Sequence, residues 1–395
     1  PVIGEEQAGA LKRVHFAPSK PLPTYLVALA VGPLDVVEAP PIPPNAVRDK
    51  PLPLRGLCPK GQAGELGYGL AEAARSLGAL ESYFGIAYPY EKLDIVAVPD
   101  FAAGAMENAA LVTFRDSLLL IDPRQSSEVQ RRNSSFVMAH ELAHMWFGDL
   151  VTMQYWDDLW LNEAFATWME YRVTAELHPE FAAELELADD VQNAMEADSR
   201  TSARMIRQPI QSTHDIMNAF DAITYSKGGG VIAMFERYLG SDLFRKGIQR
   251  YLTAHAFGNA RTEDLLRALD GSAGKDVSGP FGSFLNQVGV PLVAAQISCA
   301  EGSPPLLLLQ QSRYLPLASR GSKQQRWQIP VCTRYESGGT LFEIMAESCN
   351  TSFARMAIDL GGDETRAGAE AFGFDDEPPM RRRRNSCEPS CFTIE

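Results

Sequence analysis

Apolar positions change their period along this chain, and the changes divide it into regions. Leu66, Leu70, Ala73, Leu77 and Leu80 recur every three to four residues within 65–84, the spacing of one buried helix face. Residues 93–99 and 111–114 read as two strands. Phe136, Val137 and Met138, with Met145, Trp146 and Phe147 further on, make the next helical segment apolar on almost all sides. A second helix-like stretch covers 159–177, and 179–271 reads as further helices with short polar turns, including 243–254 and 262–269. Ahead of all these, residues 24–31 read as a β segment, followed by a proline-rich stretch through Pro53. From Pro291 the period shortens, and 306–309, 326–331 and 341–344 are strand-like runs between Gly, Ser and Pro clusters. They read as a small β sandwich. The last thirty or so residues lose apolar periodicity and read as a disordered tail.

The apolar helix contains His140-Glu141-Leu142-Ala143-His144, and eighteen intervening residues later comes Glu163, within Trp160-Leu161-Asn162-Glu163. Helical residues four apart share a face, so His140 and His144 can offer two imidazole nitrogens to one ion about 2.0–2.1 Å away. Burying Glu141 without compensation in such surroundings would cost several kcal/mol, and a cation removes that cost. Glu163 supplies a third ligand, which leaves a fourth position open, as in catalytic rather than structural zinc sites. Glu141 stands beside it as a base able to take a proton from water, so the chemistry indicated is metal-assisted hydrolysis. An isolated pentapeptide of this kind also arises by chance on surface or core helices. Glu163 is what narrows the reading.

A second constellation, Gly104-Ala105-Met106-Glu107-Asn108, sits between the two predicted strands. A glutamate at a strand end beside a zinc site suits a substrate ammonium group, although a turn glutamate on its own more commonly faces water. Together, residues 104–108, 140–144 and 160–163 resemble the zinc aminopeptidases of the aminopeptidase N family, a gluzincin group. Tyr225-Ser226-Lys227-Gly228 matches a further element of that pattern. The resemblance implies His140, His144 and Glu163 as ligands of one zinc ion per chain, with Glu141 as general base. It implies that Glu107 holds the amino terminus of a peptide, and that Gly104, Ala105, Met106 and Asn108 line the cleft. Tyr225 would donate a hydrogen bond to the developing oxyanion.

The same resemblance implies a multidomain chain. A thermolysin-like α+β zinc peptidase domain at 46–290 would be flanked by the end of an amino-terminal β domain at 1–45 and a β-sandwich domain at 291–362, with the tail at 363–395. The implied function is a zinc-dependent aminopeptidase acting on peptides with a free amino terminus. Two alternatives differ in class. A related zinc epoxide hydrolase would tend to carry glycine where Ala105 stands, and a non-enzymatic scaffold would have lost ligands or base. Departures from the family pattern are Met145 for glutamine, Asp149 for asparagine, and the glycine-rich run Gly228-Gly229-Gly230, which is costly in a helix interior.

Composition alters this picture little. The 395 residues carry a formal charge of −14, which disfavours nucleic acid as a partner. The longest uncharged stretch, 277–300, is interrupted by Pro280, Gly282, Asn286, Gln287, Gly289, Pro291 and Gln296, so no membrane span is expected. No secretory signal is recognised, which leaves a soluble cytoplasmic, periplasmic or secreted location open. Cys299, Cys332 and Cys349 could pair in an oxidising compartment or stay as thiols. The run Arg381 to Arg384 reads as part of the solvated tail.

Overall fold

The computed structural model describes residues 2–298, 306–333 and 390–394. A hairpin of β1 (Val2–Ala8) and β2 (Leu11–Phe16) comes first, turning at Gly9 with φ of 65°. The strand expected at 24–31 does not form. Thr24–Leu26 is instead a 3-10 turn, and Val27, Leu29 and Val31 stand outside any strand with exposures of 70, 88 and 86 %. An apolar run alone does not make a strand, because a strand needs a partner for its backbone groups.

The chain joins a sheet only at β3 (Leu34–Ile42), inside the proline-rich stretch. Pro40 and Pro41 are tolerated there because β3 is an edge strand and its register shifts between Ala39 and Ile42. The five-stranded sheet runs β3-β4-β5-β7-β6. In it β4 (Leu52–Pro59) is antiparallel to β3, while β5 (Leu93–Val98) and β7 (Leu111–Arg115) continue in parallel. At the far edge β6 (Ala105–Met106) lies antiparallel to β7. The expected boundary near residue 45 therefore falls between two paired strands. Between β4 and β5, helix α1 (Gly67–Phe84) makes the crossover, and its predicted apolar positions Leu70, Ala73, Leu77 and Leu80 are buried, as is Leu66 just ahead of it. It ends at Gly85, whose φ of 63° closes the last turn.

The remaining helices among the described residues are α2 (Asp116–Leu119), α3 (Glu128–Ala143), α4 (Trp160–Leu177), α5 (Ala183–Asp198), α6 (Thr213–Ile216), α7 (Gly228–Leu239), α8 (Ser241–Ala254), α9 (Thr262–Ala273) and α10 (Ser278–Leu285). Two short strands, β8 (Val151–Met153) and β9 (Gly258–Ala260), pair in parallel. A capping box opens α3: Ser127 Oγ accepts the Gln130 N–H at 3.2 Å, and Gln130 Oε1 accepts the Ser127 N–H at 2.9 Å. Helices α3 and α4 pack on one another and on the sheet through one continuous core. Phe147 and Phe165 stack at 4.4 Å within it, beside Trp146, Trp168 and Phe235.

The later strands pair two by two: β10 (Pro291–Ser298) with β11 (Leu306–Arg313), and β12 (Ile329–Thr333) with β13 (Ser390–Ile394). Run 306–309 falls within β11, whereas 326–331 is strand only from Ile329. Within the stretch read as a disordered tail, β13 is a paired strand. The uncharged stretch 277–300 divides into α10 and β10, and no helix among the described residues is long and apolar enough to cross a membrane. The run at 341–344, Cys299, Cys349 and Arg381 to Arg384 lie outside the described residues.

Candidate active site

The end of α3 meets the start of α4. His140 lies in the last turn of α3 and His144 caps it, while Glu163 lies in the first turn of α4. Their Nε2 atoms are 3.1 Å apart, and Glu163 Oε2 is 3.5 Å from His140 Nε2 and 3.3 Å from His144 Nε2. A tetrahedron with metal–ligand distances of about 2.0–2.1 Å has edges of about 3.3 Å. The three separations fit that triangle. The outer face of each ring is fixed as well. His144 Nδ1 donates to the Phe147 carbonyl at 2.9 Å, and His140 Nδ1 is 3.0 Å from Glu170 Oε2. Both Nε2 atoms then face one point, where a single cation can sit between them. These three side chains can hold a metal ion.

Two more carboxylates face the same point. Glu107, Glu141 and His144 each place an atom within 4.8 Å of the others, and all three are buried. Burial pushes the Glu141 carboxyl up to about 8; His140 and His144 oppose it, and Glu107 and Glu163 add to it. Burial also raises Glu107, against the pull of His144. Glu163 goes the other way, since the two imidazoles outweigh its burial and hold its carboxyl well below the usual range. His144 is raised to about 9, its burial outweighed by Glu107 and Glu163. Their surroundings thus push the two carboxylates in opposite directions, Glu163 down and Glu141 up.

Tyr225 reaches the site from a π-helical turn, Ile223–Lys227. Its ring lies parallel to that of His140, 6.0 Å between centroids, and its phenol hydrogen-bonds Glu163. Burial, then Glu163, Glu141 and Glu107, hold its pKa far above the ordinary phenol value, so it stays a donor. Residues 68–284, which carry all of these groups, match the Peptidase family M1 domain. The chain belongs to peptidase family M1. It is similar to Aminopeptidase M1 of Arabidopsis thaliana, with 39% identity over 339 residues, 85% of this chain and 37% of that protein. Aminopeptidase 2 of Candida albicans is 40% identical over 82% of this chain and 34% of its own length. For the puromycin-sensitive aminopeptidase of Caenorhabditis elegans the identity is 36%, over 82% and 33%. The chain thus spans little more than a third of the length of these relatives.

Within this M1 chain the second predicted constellation surrounds Glu107. Ala105 and Met106 form the edge strand β6, the Gly104 carbonyl accepts the Arg115 N–H at 2.8 Å, and Asn108 Oδ1 accepts from Thr113 Oγ1 at 2.9 Å. The structure brings His140, Glu141, His144, Glu163, Glu107 and Tyr225 together, while Gly104, Ala105, Met106 and Asn108 flank Glu107 along the chain. Sequence reasoning missed Glu170, which is seven residues after Glu163 on α4 and so lies on the same face two turns on. It also missed Tyr25 and the carbonyl of Phe147. In the sequence Asp149 stands out only as a departure from the family pattern. It is buried, accepts from the Tyr90 phenol at 2.8 Å, and is raised well above the usual carboxylate range by burial and by Glu107.

Proposed function

We propose that this chain carries the catalytic centre of a zinc aminopeptidase that removes the amino-terminal residue from peptides. The observation that carries this is the convergence of His140, His144 and Glu163 with two further buried carboxylates, Glu107 and Glu141, around one point. In this reading His140, His144 and Glu163 hold one zinc ion. When bound, the ion would acidify water and polarise the scissile carbonyl. Glu141 takes the proton of the attacking water and passes it to the leaving amine; its raised pKa suits both halves of that task. Glu107 pairs with the substrate ammonium group, which sets the register for cutting after the first residue. The edge strand Ala105–Met106, with Gly104 before it and Asn108 beyond Glu107, lies alongside the peptide backbone. Tyr225, kept protonated, donates to the oxyanion as the tetrahedral carbon forms.

The names of the relatives support peptides with a free amino terminus as substrates. We assign the catalytic portion to 46–290, with β3 from the preceding segment completing its sheet, and 291–362 to a β-sandwich unit. The test is release of a chromophore from alanyl and leucyl amides, with zinc, with a chelator, and with Glu141→Gln. Expected is turnover that chelation abolishes and that Glu141→Gln lowers by a factor of about 10² or more, with zinc still bound stoichiometrically. Equal turnover of amides with free and blocked amino groups would remove the role given to Glu107.

A further inference from the structure

The proposed function leaves one half-buried tyrosine at the site unexplained. Residues Pro23 to Val27 close a single 3-10 turn, with Leu26 N–H donating to the Pro23 carbonyl at 3.2 Å and Val27 N–H to the Thr24 carbonyl at 3.3 Å. Two adjacent residues of this turn reach two different walls of the site. The carbonyl of Leu26, a residue only 1 % exposed, accepts the Ala109 N–H at 3.3 Å and the Asn108 side-chain amide at 3.5 Å. These donors directly follow Glu107. The phenol of Tyr25 accepts from Asn162 Nδ2 at 3.3 Å, and Asn162 directly precedes Glu163.

The amide of Asn162 has few other holds. Its Oδ1 is buried without a hydrogen-bond partner, and its Nδ2 lies so near Gly148 that a Cβ there would be 3.3 Å from it. That glycine sits at φ of 134° in the turn after His144. The Tyr25 ring is seated against Trp156, 6.1 Å between centroids, in the turn leading into α4. A segment far away in sequence thus fastens the loop of Glu107 to the first turn of α4.

We propose that Tyr25 and Leu26 form a strap that sets the position of Glu107 relative to Glu163, with the Tyr25 phenol as a positioning residue for ammonium recognition. The proposal rests on the aminopeptidase reading for what Glu107 binds, and on hydrogen bonds alone for what holds Glu107 in place. Removing the phenol oxygen frees Asn162 to turn, so the first turn of α4 and the Glu107 loop lose their common reference. The ion stays bound, since no ligand is lost, but the ammonium group meets a less well placed carboxylate.

The experiment uses Tyr25→Phe, which keeps the ring against Trp156, and reads two quantities. One is the ratio of affinities for leucine hydroxamate with a free and with an acetylated amino group, measured by titration calorimetry on the zinc-loaded chain. The other is the visible absorption of the cobalt-loaded chain, which reports ligand geometry without any substrate. Expected are a ratio about tenfold lower than wild type, a shifted cobalt band, and unchanged one-to-one metal content. A double-mutant cycle with Asn162→Ala should show that the two changes are not additive. If the wild-type chain fails to distinguish the two hydroxamates, the ammonium role of Glu107 is lost and the cobalt band decides the strap. A folded Tyr25→Phe chain with wild-type band and wild-type ratio, or additive effects in the cycle, overturns the proposal.

Discussion

At the scale of single residues, what a side chain does here follows from the partners that burial forces on it. Asp94 on β5 shows this outside the site. It lies opposite Arg55 of β4 and receives hydrogen bonds from Arg55 Nε at 2.8 Å, Arg55 Nη2 at 2.6 Å and Lys92 Nζ at 2.6 Å. Burial alone would raise its carboxyl, but the bonds from Arg55 and Lys92 outweigh it and the net shift is downward. A group depressed in the folded state adds stability above its unfolded value, near pH 4, and that stability is lost as pH falls through the folded value. Asp94→Asn should therefore lower stability at pH 7 by about 1–2 kcal/mol, allowing for screening of the half-exposed cations. Denaturant titrations at pH 7 and at progressively lower pH check this, and the gap between variant and wild type should narrow as the carboxyl takes up its proton. A constant gap would assign the loss to packing rather than charge. Legibility at this scale was uneven for a physical reason. His140, His144 and Glu163 are fixed by helix periodicity and short separation, so their grouping can be read along the chain. Tyr25 meets Asn162 across 137 residues, and no local period records that meeting.

At the scale of elements, close approach of helices accounts for the glycine-rich run that looked costly in the sequence. A Cβ at Gly228 would stand 2.6 Å from Ala164 Cβ, one residue after Glu163, and one at Gly229 would stand 3.2 Å from Thr167 Cγ2. The start of α7 is thereby pressed onto the face of α4 that follows the site. Gly228→Ala should destabilise the chain by roughly 1–3 kcal/mol through overpacking, in spite of alanine's better helix propensity. Gly78 within α1 has no atom within 4 Å of the same hypothetical Cβ, so Gly78→Ala should stabilise by up to about 1 kcal/mol. Thermal unfolding of the two variants compares them directly, and a stabilised Gly228→Ala would refute the close-approach account. Helices α1, α3 and α4 were legible because each buries one periodic face. The strand predicted at 24–31 was not, since its apolar residues find no sheet, while β3 formed among prolines because an edge needs fewer donors.

At the scale of the whole molecule, the metal triad and the groups that would handle a peptide come from different distances along the chain. Three candidate ligands lie on two helices that are consecutive among the longer ones and pack together, α3 and α4. Glu107, Tyr25 and Tyr225 come from β6's end, from the 3-10 turn ahead of the sheet, and from the turn before α7. Sequence separation also sets an order in time. Short loops close sooner than long ones, and contacts between near neighbours along the chain form before distant ones. During refolding in the presence of cobalt, most of the absorption of the bound ion should appear before turnover of an alanyl amide returns, and the band should reach its final position only when Tyr25 meets Asn162. Stopped-flow absorbance beside delayed activity assays can time the two, and simultaneous recovery would mean that distant contacts govern both. Early pairing of the two candidate ligand helices within some fifty residues, 128–177, would give this chain a stage in its maturation with a place for an ion and none yet for a peptide.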